Sequence, residues 1–154
     1  GYFKLPMDTS LCIVQEDVAS GNAFKLPWLH KRGLKYSFKC SKLFRSPLYA
    51  KILNAITPAK ASWNGCNASG WREDALAVNG FNEDMHYGGQ DREFGERMAN
   101  LGIRSKQIRY SAVVLHLDHK RPYNTKESME KNRAIRRNTR KEMIIRTPNG
   151  IEKL

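Results

Sequence analysis

The sequence predicts a mixed α/β fold, and three observations support this class. Leu11–Val14 is a short apolar run typical of a strand, and a longer run, IRYSAVVLHL, covers residues 108–117. Between these runs, Phe94, Met98 and Leu101 are spaced i, i+4 and i+7, which places one apolar face on a helix. The chain of 154 residues is long enough for one domain or a large piece of one.

The charge of the chain is uneven. Its net charge is +12, and residues 21–60 carry nine Lys and Arg without any Asp or Glu. Residues 61–119 carry six basic and eight acidic side chains, whereas residues 120–154 carry eleven basic and four acidic side chains. An acidic block between two basic ones predicts a carboxylate-bearing site whose surroundings attract anions, such as nucleotide phosphates or an acidic membrane face.

The cysteines predict a reduced, cytoplasmic protein. Cys12, Cys40 and Cys66 form no C-x-x-C pair and are odd in number, so neither a disulfide scaffold nor a metal-thiolate site is expected. No apolar run approaches the roughly 20 residues of a membrane span. We therefore expect a soluble piece.

The sequence predicts a strand, a helix and a basic aromatic segment in the first sixty residues. The acidic Gln15–Asp17 follows the predicted strand, where it is either functional or, as we favour, a solvated loop. A helix is expected over Leu48–Ile56. Aromatic residues alternate with bases in residues 21–60, a pattern that fits single-stranded nucleic acid, a membrane interface or core aromatics beside a solvated basic face.

Two helices are predicted in the central block. The first covers Ser69–Ala77, with Ser69 as its cap and Trp71 in the core. The second follows Gly88 and Gly89 and ends before Gly102. Asp91 then lies in its first turn, where the helix dipole and free N–H groups favour a charged carboxylate.

The predicted strand over residues 108–117 ends at His116, and its Ala112–Leu115 portion is apolar enough to be buried. A single histidine at such a position is usually structural. Here, however, His116–His119 places three possible metal ligands, two histidines and one aspartate, within four residues, with His119 as a weaker candidate.

A basic C-terminal helix is predicted next. Asn124–Glu127 has the spacing of a capping box, and the helix should run towards Ile145. Its apolar stripe is loose, so we expect light packing and a basic face. Pro148–Gly150 should end this segment, with the last four residues frayed.

Four motifs follow one another along the chain: Gly65–Ser69, Val78–Glu83, Gly88–Phe94 and His116–His119. In order and spacing they resemble the C-terminal half of family-two inverting glycosyltransferases, with related patterns in β-1,4-galactosyltransferases and bacterial chondroitin polymerases. The resemblance covers roughly residues 63–123.

The resemblance implies a partial GT-A-like fold that holds the catalytic and acceptor-side half of the enzyme. The chain has no Asp-x-Asp, so we expect a fragment of an enzyme whose complete form binds a divalent cation, Mn²⁺ or Mg²⁺. Asp91 is the implied general base and His116 the implied metal ligand. The implied substrate-binding residues are Asn67, Tyr87, Gly88, Gly89 and Gln90.

Two of these positions depart from the family pattern. Tyr87 replaces a common tryptophan but can still stack on a sugar face. Gln90 replaces a common glutamate and can still hydrogen-bond an acceptor hydroxyl. We expect the Gly65 loop, the Gly88–Gly89 loop and the end of the strand at Val113–His116 to converge on one cleft.

The expected reaction is transfer of a sugar, with inversion, from a nucleotide-sugar donor to a saccharide or lipid-linked acceptor in cell-surface polysaccharide or glycan synthesis. The segments are residues 1–62, basic and aromatic; residues 63–123, catalytic; and residues 124–154, the basic helix and tail. The basic segments suggest peripheral contact with the inner membrane face, and no nucleic acid is expected. Two alternatives remain open: a nucleic-acid-binding basic module and a non-catalytic carbohydrate-binding domain.

Overall fold

The structure is a computed structural model, and it confirms the predicted mixed α/β class. It describes residues 1–60, 62–121 and 125–153. Within these ranges helices predominate, and two short strands form a parallel sheet.

The chain forms two compact units. Unit 1 consists of Gly1–Ala59 and Ile108–Lys120, and unit 2 consists of Lys60–Gln107 and Arg121–Leu154. These units do not coincide with the three functional segments expected from the sequence, and the role assigned to each segment stays a prediction.

The sheet of unit 1 joins the beginning of the chain to a late strand. Strand β1 (Tyr2–Lys4) pairs in parallel with β2 (Val114–His116), with Phe3 opposite Leu115. Phe3 is buried while both of its neighbours are exposed, as expected for alternating side chains. The sheet thereby anchors one wall of an apolar core.

Short helices complete unit 1. The helices are α1 (Met7–Leu11), α2 (Gln15–Ala19), α3 (Leu26–His30) and α4 (Pro47–Ile56), with 3₁₀ turns at Asn22–Phe24 and Phe38–Leu43. The prediction of a helix over Leu48–Ile56 is confirmed. The buried core of the unit consists of Phe3, Leu5, Leu29, Leu34, Cys40 and Leu43.

The predicted strand at Leu11–Val14 is wrong. Leu11 is the last residue of α1, and Val14 caps α2. The backbone N–H of Val14 donates to Asp17 Oδ2 at 3.1 Å. The acidic residues therefore stabilise the start of a helix and do not follow a strand.

The strand predicted over residues 108–117 is shortened to β2. Residues 108–112 turn, because the N–H groups of Ser111 and Ala112 both donate to the Ile108 carbonyl. The amino terminus of Gly1 also donates to the Ala112 carbonyl, at 2.6 Å. Contrary to expectation, the apolar run is half-buried rather than buried, and Ala112 is exposed.

The aromatic residues of the basic segment do not all join the core. Tyr36 is 85% exposed and Phe38 is 81% exposed. The interpretation of this segment as core aromatics is therefore wrong for these two rings. None of the helices in the described ranges is long and apolar enough to cross a membrane.

Unit 2 contains three helices within the described residues. They are α5 (Arg72–Ala77), α6 (Gln90–Asn100) and α7 (Lys126–Lys141). Its buried apolar cluster is Val78, Phe94 and Met98, against which Trp63 packs edge-on to the Phe94 ring at 4.8 Å. The predicted apolar face of α6 is thus confirmed at Phe94 and Met98.

The first helix of unit 2 starts later than predicted. Helix α5 begins at Arg72 with Trp71 as its cap, so Ser69 does not cap it. Trp71 is 78% exposed, and its assignment to the core is wrong.

Helix α7 begins with a threonine cap. Ser128 N–H donates to Thr125 Oγ1 at 3.1 Å, whereas the predicted cap, Asn124, lies outside the described residues. The helix ends at Lys141 instead of continuing towards Ile145, and Met143 takes a left-handed φ of 50°. The N–H of Ile144 then donates to Thr139 O and closes the helix end.

The packing of α7 differs from the predicted loose apolar stripe. Its buried side chains are polar: Ser128, Asn132 and Thr139. Each of them donates hydrogen bonds within unit 2. The helix is therefore held by specific polar contacts, and the prediction of light packing is wrong.

Residues 151–153, which were expected to fray, are held by specific contacts. Asn79 Nδ2 donates to the carbonyls of Thr147 and Glu152, both at 2.8 Å. Asn79 Oδ1 accepts from Glu152 N–H at 2.8 Å. This buried asparagine ties the C-terminal segment to the turn that follows α5; Leu154 lies outside the described residues.

Candidate active site

Asp91 lies at the start of α6, and both of its carboxylate oxygens accept backbone N–H groups. Gly65 N–H donates to Oδ2 at 3.0 Å, and Arg92 N–H donates to Oδ1 at 2.8 Å. The predicted position of Asp91 in the first turn is confirmed. The Gly65 loop and the start of α6 therefore meet at this carboxylate.

Gly88 and Gly89 shape the approach to α6. Their φ angles are 113° and 88°, in the region that side chains disfavour. A Cβ on Gly88 would lie 2.4 Å from Met129 Sδ. The Gly88 N–H donates to Gln90 Oε1 at 2.8 Å, so Gln90 closes this turn from the first residue of the helix.

Helix α7 holds the same loop from its other side. Asn132 Nδ2 lies within hydrogen-bond distance of the carbonyls of His86, Tyr87 and Gly88, at 2.8 to 3.2 Å. Ser128 Oγ also donates to the Tyr87 carbonyl, at 3.0 Å. The backbone that leads into Asp91 is thus fixed by two side chains of one helix.

Tyr87 borders a pocket of about 570 Å³ in unit 2. Its lining residues are His86, Tyr87, Thr125, Glu127, Ser128 and Lys131. Tyr87 is 38% exposed, so its ring is accessible from this pocket. Asp91 is not among the lining residues, and the pocket therefore adjoins the loop before α6 rather than the carboxylate itself.

A buried ion pair supports the opposite side of α6. Arg97 Nε donates to Glu93 Oε1 at 2.8 Å, and both side chains are almost fully buried. Arg97 also donates to the carbonyls of Val78 and Gly80, while Glu93 Oε1 accepts from Thr139 Oγ1 at 3.1 Å. The helix carrying Asp91 is therefore fixed in place by charge-assisted hydrogen bonds.

Two further loop residues singled out in the sequence occupy turns. Asn67 is half-buried, and its N–H donates to Asn64 O at 2.9 Å, two residues from Gly65. Glu83 pairs with Lys153, and its N–H donates to Asn149 O at 2.8 Å. These contacts hold the loop at Glu83 in place.

His116 belongs to unit 1, whereas Asp91 belongs to unit 2. The His116 ring lies edge-on to Tyr2 at 6.0 Å and tilted to His119 at 5.8 Å. Its neighbour Asp118 pairs with Lys4 at 3.0 Å. The predicted convergence of the His116 strand with the Asp91 loops stays a prediction.

No group of three or more His, Cys, Asp and Glu side chains in residues 1–60, 62–121 and 125–153 is placed to hold a metal ion. The described residues therefore do not make up a protein-only metal site around His116. All three cysteines are free, with Cys12 and Cys66 exposed and Cys40 buried.

Residues 56–122 match a family described as the N-terminal domain of galactosyltransferase. The matched stretch contains both Asp91 and His116 and covers less than half of the chain. The curated proteins and the solved structures gave no match. The chain thus contains a glycosyltransferase-related domain; the match does not carry the family-two assignment or the C-terminal placement expected from the motifs.

Sequence reasoning missed the α7 residues that hold the site. Ser128 and Asn132 are spaced i and i+4, so the one available signal was a pair of small polar residues on one face of a basic helix. The face of α7 that packs is polar, so the apolar pattern of this helix does not reveal it.

Proposed function

We propose that this chain is the catalytic and acceptor-side part of an inverting glycosyltransferase. It transfers a sugar from a nucleotide-sugar donor to a saccharide or lipid-linked acceptor, in the synthesis of a cell-surface polysaccharide or glycan. The observation that carries the proposal is the Asp91 carboxylate, oriented by Gly65 N–H within the stretch that matches the galactosyltransferase family.

Asp91 serves as the general base. In a direct displacement the acceptor hydroxyl attacks the anomeric carbon while a carboxylate takes its proton. A carboxylate has about four lone-pair positions, and Asp91 commits two of them to the N–H groups of Gly65 and Arg92. The remaining positions can accept from a hydroxyl, and the two backbone contacts fix the direction in which they point.

The neighbouring residues bind the acceptor. The exposed Tyr87 ring offers a face on which a sugar can stack, and the pocket beside it also presents Glu127 and Lys131 to hydroxyl groups. Gln90 holds the Gly88 turn through its Oε1, which leaves its amide N–H groups as donors to the substrate. Asn67 lies next to the Gly65 loop and completes this set.

A divalent cation, Mn²⁺ or Mg²⁺, would stabilise the departing nucleotide diphosphate in such a reaction. His116 is the proposed protein ligand, but the described residues do not complete a site around it. The role of Asp91 does not depend on this assignment.

We further propose that the protein is cytoplasmic and contacts the inner membrane face. Three free cysteines and a net charge of +12 support this location.

The test of the function is Asp91→Asn, measured with a panel of nucleotide sugars in the enzyme that carries this chain. Turnover should fall roughly 10²–10⁴-fold, the usual scale of general-base catalysis. Donor affinity should change little, because asparagine keeps the shape and can still accept from Gly65 N–H.

The matched control is Asp74→Asn. Asp74 lies in the first turn of α5 in the same unit, so this variant removes a helix-start carboxylate away from the proposed site. It should leave turnover unchanged. Near-normal turnover by Asp91→Asn at saturating donor would show that Asp91 only stabilises the start of α6.

A further inference from the structure

A second pocket lies entirely within unit 1. Its volume is about 460 Å³, and its lining includes the beginning of α4 together with Tyr110, Ser111 and Val113. Phe24 and Phe44 also line it. Neither the proposed reaction nor the family match assigns this pocket a role.

The charged groups that line this pocket are cationic. Lys42 and Arg45 both contribute to the lining, and residues 21–60 contain no acidic side chain. Within the described parts of the chain, neither of these two cations forms an ion pair. Lys42 Nζ donates to the Tyr2 carbonyl at 3.0 Å, a neutral partner.

The surroundings of Lys42 add to the positive potential. Burial, together with the charges of Arg109 and Lys39, lowers the pKa of Lys42 below its ordinary value of 10.5. Arg109 Nε is itself buried without a hydrogen-bond partner in the described structure. The first residues of α4 face the same pocket, so the positive end of its dipole adds to this field.

The apolar part of the pocket limits the shape of the ligand. Phe44 is 51% exposed and tilted against the Tyr49 ring at 5.4 Å, so one of its faces is accessible at the pocket. Val113, Ala50 and Leu43 supply aliphatic surface. An inorganic anion would use the cations but leave this surface uncovered.

We propose that the unit 1 pocket binds an organic phosphate, with the phosphate at Lys42 and Arg45, near the positive end of the α4 dipole, and an apolar or ring-shaped group against Phe44. A phosphate suits Lys42 as a point charge and Arg45 as a planar donor. Such a ligand is either a soluble phosphate ester or the headgroup of a phospholipid. The pocket residues belong to unit 1 and Asp91 belongs to unit 2, and the test measures ligand binding without requiring the proposed transfer reaction.

The experiment is calorimetric titration of the chain with phenyl phosphate, with inorganic phosphate as a second probe. Backbone amide shifts of Phe44, Arg45 and Ser111 locate the site. Phenyl phosphate should bind at least about tenfold more tightly than inorganic phosphate, because it also buries apolar area. Equal affinities would overturn the proposed apolar contact.

Lys42→Gln should weaken phenyl phosphate binding about tenfold or more, the effect of losing one charge-assisted hydrogen bond. Arg45→Gln, at an exposed position that folding tolerates, should weaken it in the same direction. The matched control is Lys51→Gln, which removes an exposed α4 lysine that does not line the pocket. Equal binding by Lys42→Gln, Arg45→Gln and Lys51→Gln would overturn the site.

Vesicles distinguish the two sources of the phosphate. The ligand is a lipid headgroup if the chain sediments with vesicles that contain phosphatidic acid but not with vesicles of phosphatidylcholine alone. Lys42→Gln should then abolish this sedimentation. Phenyl phosphate binding without vesicle binding assigns it to a soluble ester. The proposal would be contradicted if phenyl phosphate gave no binding signal in the calorimeter and Lys42→Gln did not reduce binding to vesicles.

Discussion

Arg97 in unit 2 and Lys42 in unit 1 are two cations in opposite surroundings. Arg97 is fully buried, and it donates to Glu93 and to the carbonyls of Val78 and Gly80. Lys42 is half-buried, has a backbone carbonyl as its hydrogen-bond acceptor, and lies near the like charge of Arg109.

This difference in surroundings distinguishes a cation that stabilises the fold from a cation that is suited to binding a ligand. A cation removed from water is tolerated only when partners replace its solvation. Arg97 has those partners within its own unit, so it stabilises the fold around α6. Lys42 lacks an acidic partner among the described residues, and an added anion would supply it.

The largest expected effect comes from breaking the Arg97 pair. Arg97→Met should lower the free energy of unfolding by about 3–5 kcal/mol, because Glu93 would remain buried with its main cationic partner removed. Urea unfolding measures this loss. Arg137→Met removes an exposed arginine of α7 and serves as the control.

A double variant sharpens this result. Replacing Glu93 and Arg97 together by methionine removes both charges, so it should be less damaging than Arg97→Met alone. A cost of less than about 1 kcal/mol for Arg97→Met, the range of surface pairs, would contradict the structural role of the pair.

Removing a neutral hydrogen-bond donor should have an intermediate effect on stability. Asn132→Ala removes the side-chain NH₂ group, whose two hydrogens are shared among the carbonyls of His86, Tyr87 and Gly88. It should lower the free energy of unfolding by about 1–3 kcal/mol. Hydrogen exchange should accelerate in the backbone of residues 86–90. Asn138→Ala, at an exposed position on the same helix, controls for helix propensity. Similar exchange rates in the two variants would show that Asn132 does not fix the loop.

The smallest expected effect is the contribution of Lys42 to the pH dependence of stability. Its pKa is lower in the folded chain than its ordinary value of 10.5. Between the two values the unfolded chain binds more protons than the folded chain, so the free energy of unfolding increases as pH rises. The penalty for the charged lysine is fully present at neutral pH.

Lys42→Met removes this contribution. The stability of the unsubstituted chain relative to Lys42→Met should therefore rise between neutral pH and pH 10.5, as measured by urea unfolding at both values. Lys51→Met controls for the loss of an exposed lysine. A relative stability that falls over this interval would have the wrong sign for a desolvated lysine.

The sequence predicted local features well where a short-range signal decides them. The glycines before α6, the position of Asp91 in its first turn, and the helix over Leu48–Ile56 follow from neighbouring residues. Turn chemistry and helix periodicity act within a few residues, so one sequence is sufficient to locate them.

The apolar runs were less informative. Leu11–Val14 has the composition of a strand, yet the Asp17 side chain accepts the Val14 N–H and initiates a helix. Residues 108–112 turn because the N–H groups of Ser111 and Ala112 donate to the Ile108 carbonyl. Short apolar runs fit either state, and single hydrogen bonds that leave no periodic signal select between them.

What the sequence by itself determined is the catalytic candidate: glycines, an aspartate and a helix start in one short stretch, within motifs that resemble glycosyltransferases. Only the tertiary structure decided what holds that stretch. Gly65 lies 26 residues from Asp91, and Asn132 lies 44 residues from Gly88. Such contacts leave no periodic signal, because a single buried hydrogen bond requires one suitable side chain and a fold that places it.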